Sequence, residues 1–204
     1  MLILRQPQRG VSLIELMVGL VIAAVLFALG APNFSAFIQN SKIRNAAEAI
    51  QNGLSLARVE AVRRNANIQF VLGSSSSWTV GCQTAVADLD SDGVADCPSI
   101  IQTRLTAEGS TNAVVTTSEV VASTNAINAA PTFTSTLSFN SLGRVTSGTL
   151  PAGNNAIFDV SNPTGGTCAA ESGVMRCLRV IVTSGGQVRM CDPALTRPSD
   201  PQAC

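Results

Sequence analysis

The chain has 204 residues, 46% hydrophobic and 13% charged, with 13 basic residues balanced by 13 acidic ones. It carries no histidine, which removes His-dependent triads, the commonest general base and a usual zinc ligand. From position 65 onward six basic residues stand against ten acidic ones, 6 − 10 = −4, so a nucleic-acid surface there could exist only as a local patch.

The first element is a short leader with Arg5 and Arg9, followed by an apolar run over 11–31 that holds a single charge, Glu15. As a helix these 21 residues span about 31 Å, one bilayer core. The preceding arginines keep the N-terminus cytoplasmic, so the part of the chain after residue 65 is exported. The run is longer than the apolar region of a secretory signal peptide, and Pro32-Asn33-Phe34 offers no small-residue cleavage site. A plain anchor helix leaves Glu15 unexplained. A lone carboxylate in hydrocarbon costs about 3 kcal/mol, which makes it a functional candidate.

Arg9-Gly10 followed by Val11-Ser12-Leu13-Ile14-Glu15-Leu16 resembles the processing site of a type IV prepilin. The resemblance implies cleavage after Gly10 by a prepilin peptidase and N-methylation of the new terminus, Val11. It makes Glu15 the glutamate expected at the fifth position after the cut, and Pro32 the helix-bending proline. Val11 departs from the usual phenylalanine. Cleavage frees an α-amino group in or near the membrane. A buried cation and a buried anion are each costly alone, and pairing lowers both costs. Glu15 of one subunit can therefore neutralise the amine of a neighbour and set the register of helix stacking.

Beyond Pro32 the apolar residues Phe34, Phe37, Ile38, Ile43, Ala46, Ala47, Ile50, Leu54, Ala57 and Ala61 recur at spacings of three and four. They form one stripe of an amphipathic helix over 32–64, expected to pack on a sheet. Lys42, Arg44, Glu48, Arg58, Glu60, Arg63 and Arg64 lie mainly off it, the last two where cations oppose the helix dipole. Pro32 removes an internal hydrogen bond and is expected to bend the helix.

After Asn65 the period changes to two. Strands are predicted over 67–72, 78–80, 100–105, 114–121, 132–139, 156–160, 178–182 and 188–190. The turn Ser184-Gly185-Gly186 makes the last two a hairpin. The fold class is α+β: one long N-terminal helix packed on an antiparallel sheet that forms the head, residues 65–204. This fits the architecture that the prepilin resemblance implies.

The stretch 54–65, then Trp78-Thr79-Val80-Gly81-Cys82, then 185–193 resemble the GspH/FimT group. That group contains minor pilins of type IV pili and minor pseudopilins of type II secretion. The resemblance implies a structural subunit, not an enzyme, at or near a pilus tip, helping to start assembly for adhesion and twitching motility. It implies other minor and major pilins, the prepilin peptidase, the inner-membrane assembly machinery and the lipid bilayer as partners. The location implied is the bacterial inner membrane, single-pass with a periplasmic head, and then the fibre tip.

Six cysteines, Cys82, Cys97, Cys168, Cys177, Cys191 and Cys204, all follow the apolar run and contain no CxxC, so disulfides in an oxidising compartment are expected. Proximity favours Cys82–Cys97. Cys191–Cys204 would close the tail and leave Cys168–Cys177, with Cys177–Cys191 as a rival. Asp88, Asp90, Asp92 and Asp96 match the start of a Ca²⁺ loop, D-x-D-x-D-G. Ser99 stands where a full loop needs a bidentate glutamate, so weak Ca²⁺ binding competes with a solvated acidic loop, and no cofactor is required. In the last hairpin Arg179, Ile181 and Arg189 alternate away from Leu178, Val180, Val182, Val188 and Met190. Two arginines on one outer face could grip phosphate. DNA-binding members of the FimT branch carry Gly-Arg-x-Arg here, whereas this chain reads Gly186-Gln187-Val188-Arg189. DNA capture through Arg179 and Arg189 is thus the alternative to a purely structural role, with a pseudopilin as the third reading.

Overall fold

Ser12 opens the long helix. Its Oγ accepts the Glu15 N–H at 3.2 Å and its carbonyl accepts the Leu16 N–H. Ser12 and Glu15 thus occupy the two ends of a capping-box pattern. The computed structural model describes residues 10–87, 96–146, 148–197 and 199–204, with side chains at 29–33 excepted. Helix α1 runs Leu13–Arg64, continuous through position 32. Asn65 ends it in the left-handed region (φ 50°). The Asn65 N–H returns to Val62 O and the Ala66 N–H to Ala61 O, the paired bonds of a Schellman stop.

Two units divide the chain, Met1–Phe37 and Ile38–Cys204. In the first, the large apolar side chains between Leu13 and Phe27 are all more than half exposed. Among the described residues no helix is long and apolar enough to cross a membrane. The described side chains of this run, 13–28, span about 24 Å, short of a bilayer core of about 30 Å. Phe34 and Phe37, expected on the packed stripe, are also exposed, and Ile38 is partly so. The buried stripe begins at Ile43.

In the second unit that stripe, Ile43, Ala46, Ala47, Ile50, Leu54, Ala57 and Ala61, is fully buried. The expected single sheet is in fact two. One has the order β3-β2-β1-β5, from β1 (Ile68–Leu72), β2 (Trp78–Cys82), β3 (Gln102–Arg104) and β5 (Thr136–Phe139). The other has the order β4-β6-β7-β8, from β4 (Val114–Val121), β6 (Asn154–Ser161), β7 (Leu178–Thr183) and β8 (Val188–Cys191). All strand pairings are antiparallel.

Phe70 of β1 meets Phe158 of β6 edge-on at 5.9 Å, and Phe158 also meets Phe133 at 5.2 Å. These rings join the two sheets into one core, each pair contributing about 1 kcal/mol beyond area burial. Helix α1 approaches the first sheet at Gly53. A Cβ there would lie 2.9 Å from both the Phe70 and the Trp78 rings. The glycine costs helix propensity but permits that close approach.

The strand expected over 132–139 is shortened at its start by Glu119. This carboxylate is 1% exposed, and its Oε2 accepts the N–H groups of Thr132 and Phe133, each at 2.8 Å. The side-chain amides of Asn128 and Asn154 donate to its other oxygen. Backbone donors bound to a carboxylate are unavailable to a ladder, which takes Thr132 and Phe133 out of the predicted strand; β5 runs from Thr136. Burial pushes this carboxyl up, but the bonds from Phe133, Asn128, Asn154 and Thr132 together outweigh that and hold it below the usual carboxylate range.

Candidate functional site

The Gly10–Val11 bond lies outside regular structure, just before α1. Gly10 and Val11 are exposed, and a Cβ at Gly10 would meet nothing within 4 Å. The bond is therefore open to an enzyme without unwinding the helix. Residues 1–9, with Arg5 and Arg9, lie outside the described residues. Glu15 is exposed in the first turn, where negative charge complements the positive helix end. Sequence reasoning missed the Ser12 cap, although Ser12-x-x-Glu15 was legible as a capping signature. The side chain of Pro32 lies outside the described residues.

The cysteines form three disulfides, Cys82–Cys97, Cys168–Cys177 and Cys191–Cys204, and none is free. The rival Cys177–Cys191 bridge is absent. Asp88, Asp90 and Asp92 lie outside the described residues. Of the candidate Ca²⁺ ligands Asp96 alone is described, and its backbone carbonyl accepts Arg64 Nη1 at 2.5 Å. Among the described residues no cluster of acids or cysteines is arranged to hold a metal.

Arg179 and Arg189 project from one face of the β7–β8 hairpin, Arg189 opposite Ile181 in register. That face is not simply solvent. Ile181 is buried with Val120, Ile157 and Cys191 in a second small core, which corrects the expectation that it points outward into water. The parity was right, but both faces of this sheet carry apolar cover. Arg179 grips Asp159 on the adjacent strand with two hydrogen bonds, at 2.7 and 3.0 Å. Both residues line a cleft of about 510 Å³ that also includes Glu171. Arg189 is exposed and donates to the Cys204 carbonyl at 3.1 Å. The pair is thus unequal: Arg179 is neutralised across the strands, whereas Arg189 is exposed and reaches only a main-chain oxygen among the described residues. Gly186, read as part of a phosphate-binding motif, has a local reason to be glycine. Its φ is 85°, and a Cβ there would lie 1.9 Å from the Gly143 carbonyl.

Further ties were not foreseen. Glu60, expected mainly off the apolar stripe, is largely buried and holds Arg63 and Arg64, each at 2.7 Å. Burial pushes its carboxyl up, and the hydrogen bonds and charges of the two arginines bring it below the usual range. Asp192 is buried and accepts Arg176 at 2.6 Å. Asn162 and Arg176 also reach Gln39 and Asn40 of α1. The Glu60 pairs are local, three and four positions apart on one helix, whereas the ties to Gln39 and Asn40 join partners more than a hundred positions apart and leave no local pattern.

Residues 46–186 match the family described as Type II transport protein GspH, and residues 5–31 match the prokaryotic N-terminal methylation motif. No curated protein matches the chain. Among solved structures it is similar to the type IV minor pilin FimU of Pseudomonas aeruginosa in two crystal forms. One is 16% identical, with a TM-score of 0.46, 82% of this chain and 98% of that one covered. The other is 14% identical, with a TM-score of 0.42, covering 72% and 90%. The family match spans more than two thirds of the sequence, and the methylation motif precedes it. The chain belongs to the GspH family, as a minor pilin or pseudopilin of the GspH/FimT type.

Proposed function

We propose that this chain is a minor type IV pilin, cut between Gly10 and Val11, held in the inner membrane by residues 11–31, and incorporated near the fibre tip to help start assembly. The observation that carries the reading is the exposed Gly10–Val11 bond directly ahead of the Ser12-capped helix with Glu15 in its first turn. The row of exposed apolar side chains after it calls for lipid or neighbouring helices, since soluble surfaces do not present such a continuous patch. Cleavage creates an amine beside which Glu15 of an adjacent subunit finds its counter-charge.

The test is Glu15→Ala. Membrane fractionation should find the variant inserted as wild type, while immunoblots of sheared fibres should find it missing. Normal incorporation of the variant would overturn the pairing. The pseudopilin reading assigns the same chemistry to a secretion system, and incorporation into sheared pili separates the two. DNA capture is disfavoured by the Arg179–Asp159 pair and the acidic balance of the head. Salt-sensitive gel shifts by the full chain, lost in an Arg179→Ala/Arg189→Ala double variant, would reinstate it. Weak Ca²⁺ binding by the 88–96 loop is likewise a proposal. Calorimetry with millimolar Ca²⁺ should give heat and a raised Tm, and silence in both would end it.

A further inference from the structure

Of the three disulfides, Cys168–Cys177 is the one with neither half buried. Cys82 and Cys97 are 2% and 4% exposed, and Cys191 is 2% exposed. Cys168 and Cys177 both line the cleft of about 510 Å³ that holds Arg179 and Asp159. Access decides which bridge a thiol opens, because exchange needs an attacking thiolate at one sulfur and a tolerated thiolate leaving from the other. At Cys191–Cys204 the exposed half is Cys204, so attack there expels a thiolate at buried Cys191, which is costly. At Cys168–Cys177 neither leaving group meets that cost.

The bridge closes a loop that grips the helix. Asn162 Nδ2 donates to Gln39 Oε1 at 2.7 Å, and the Arg176 N–H donates to Asn40 Oδ1 at 2.8 Å. A Cβ on Gly165 would collide with Met175 Sδ and with the Gln39 side chain, so the loop packs on α1 through that glycine. Within 168–177 Met175 alone is buried. A further tie, Arg176 to Asp192, runs through an arginine 62% exposed and is open to screening by salt. A loop with one buried side chain has little apolar burial to keep it in place, so its form rests on the covalent closure. We propose that Cys168–Cys177 is a thiol-exchange site, opened from the cleft by an external dithiol, and that the grip of the 162–177 loop on Gln39 and Asn40 is released with it. One thiolate of the dithiol attacks a cysteine sulfur, the bond between Cys168 and Cys177 breaks, and a mixed disulfide forms. The second thiol of the dithiol then displaces that cysteine. The chain gains two electrons and two protons as two thiols, and the dithiol is oxidised to a disulfide. The site does not depend on whether the chain serves a pilus or a secretion system.

The full chain, labelled with ¹⁵N and held in detergent micelles, is treated with rising dithiothreitol, alkylated and mapped by mass spectrometry. Cys168 and Cys177 should be labelled together at roughly a tenth of the dithiothreitol that labels the other two pairs. Earlier or simultaneous labelling of either other pair would overturn the exchange site. At that selective concentration, hydrogen exchange is read by NMR. The Arg176 amide, which donates to Asn40, and the Asn162 side-chain amide, which donates to Gln39, should exchange roughly tenfold faster or more. The Ile101 amide, which donates to the Val80 carbonyl, should keep its rate. Unchanged rates at Arg176 and Asn162 would show that the grip does not need the bridge, and equal acceleration at Ile101 would show general unfolding instead of release; either result overturns the proposal. A Cys168→Ser/Cys177→Ser double variant should show the fast exchange without reductant, and slow exchange in it would overturn the proposal too. The wild-type reduction decides the matter even if that variant folds poorly.

Discussion

Along 13–28 of α1 the large apolar side chains lie on all sides and are more than half exposed, while along 43–61 Ile43, Ala46, Ala47, Ile50, Leu54, Ala57 and Ala61 form one stripe that is buried to completion. The same backbone element therefore meets two environments. A helix that is apolar all round needs an apolar medium or neighbouring helices, whereas a helix with one stripe needs only one sheet. Gly53 and Glu60 belong to the second half, where closeness of approach and pairing of charge matter. Ser12 and Glu15 belong to the first, where the capping of the helix end matters.

Breaking the second half should cost the most. Leu54→Ala empties a fully buried position and should destabilise the head by about 2–5 kcal/mol in urea unfolding followed by Trp78 emission. Leu20→Ala removes as many carbons from the first half and should leave that transition in place. Equal losses would erase the contrast.

Glu119→Gln keeps the shape of the side chain but replaces one accepting oxygen with a donor facing other donors. A loss of about 1–3 kcal/mol at neutral pH is expected. The sign with pH follows from the lowered carboxyl. The stabilisation by Glu119 is fully present above the unfolded value, about 4.3, and is lost as pH falls through the lower folded value. Wild type and variant should therefore converge in acid. Parallel curves down to the lowest accessible pH would show that Glu119 is not the group responsible.

Gly53→Ala should improve helix propensity yet lower stability by about 1–3 kcal/mol, because the added methyl meets two buried rings at 2.9 Å. A gain in Tm would mean that the rings yield. The smallest effect is expected of Arg44→Ala, which breaks a solvent-exposed i,i+4 pair. Its Tm should be indistinguishable from that of wild type, since such pairs are screened and entropically costly.

The elements were legible where the pattern is local. The stripe over 43–61, the strand over 114–121 and the final hairpin all follow from periods of 3.6 and two. The strand predicted over 132–139 failed in its first half because Glu119, thirteen positions away, captures the donors of Thr132 and Phe133. Ile181 was placed on the correct face, but the buried cluster on that face was invisible. Period two tells which side a residue points to and says nothing about what covers it. The same limit applies to Arg179, whose partner Asp159 sits on a neighbouring strand.

By itself the sequence determined the family motif and the order of elements, because each is written in adjacent residues or in a fixed period. Only the tertiary structure decided that the strands split into two sheets, that Glu119 anchors a loop, that Arg179 is already paired and that the 162–177 loop holds α1 at Gln39 and Asn40. These are contacts between distant positions, set by how the stripe of α1 and two sheet faces exclude water together, and no single stretch of chain encodes them.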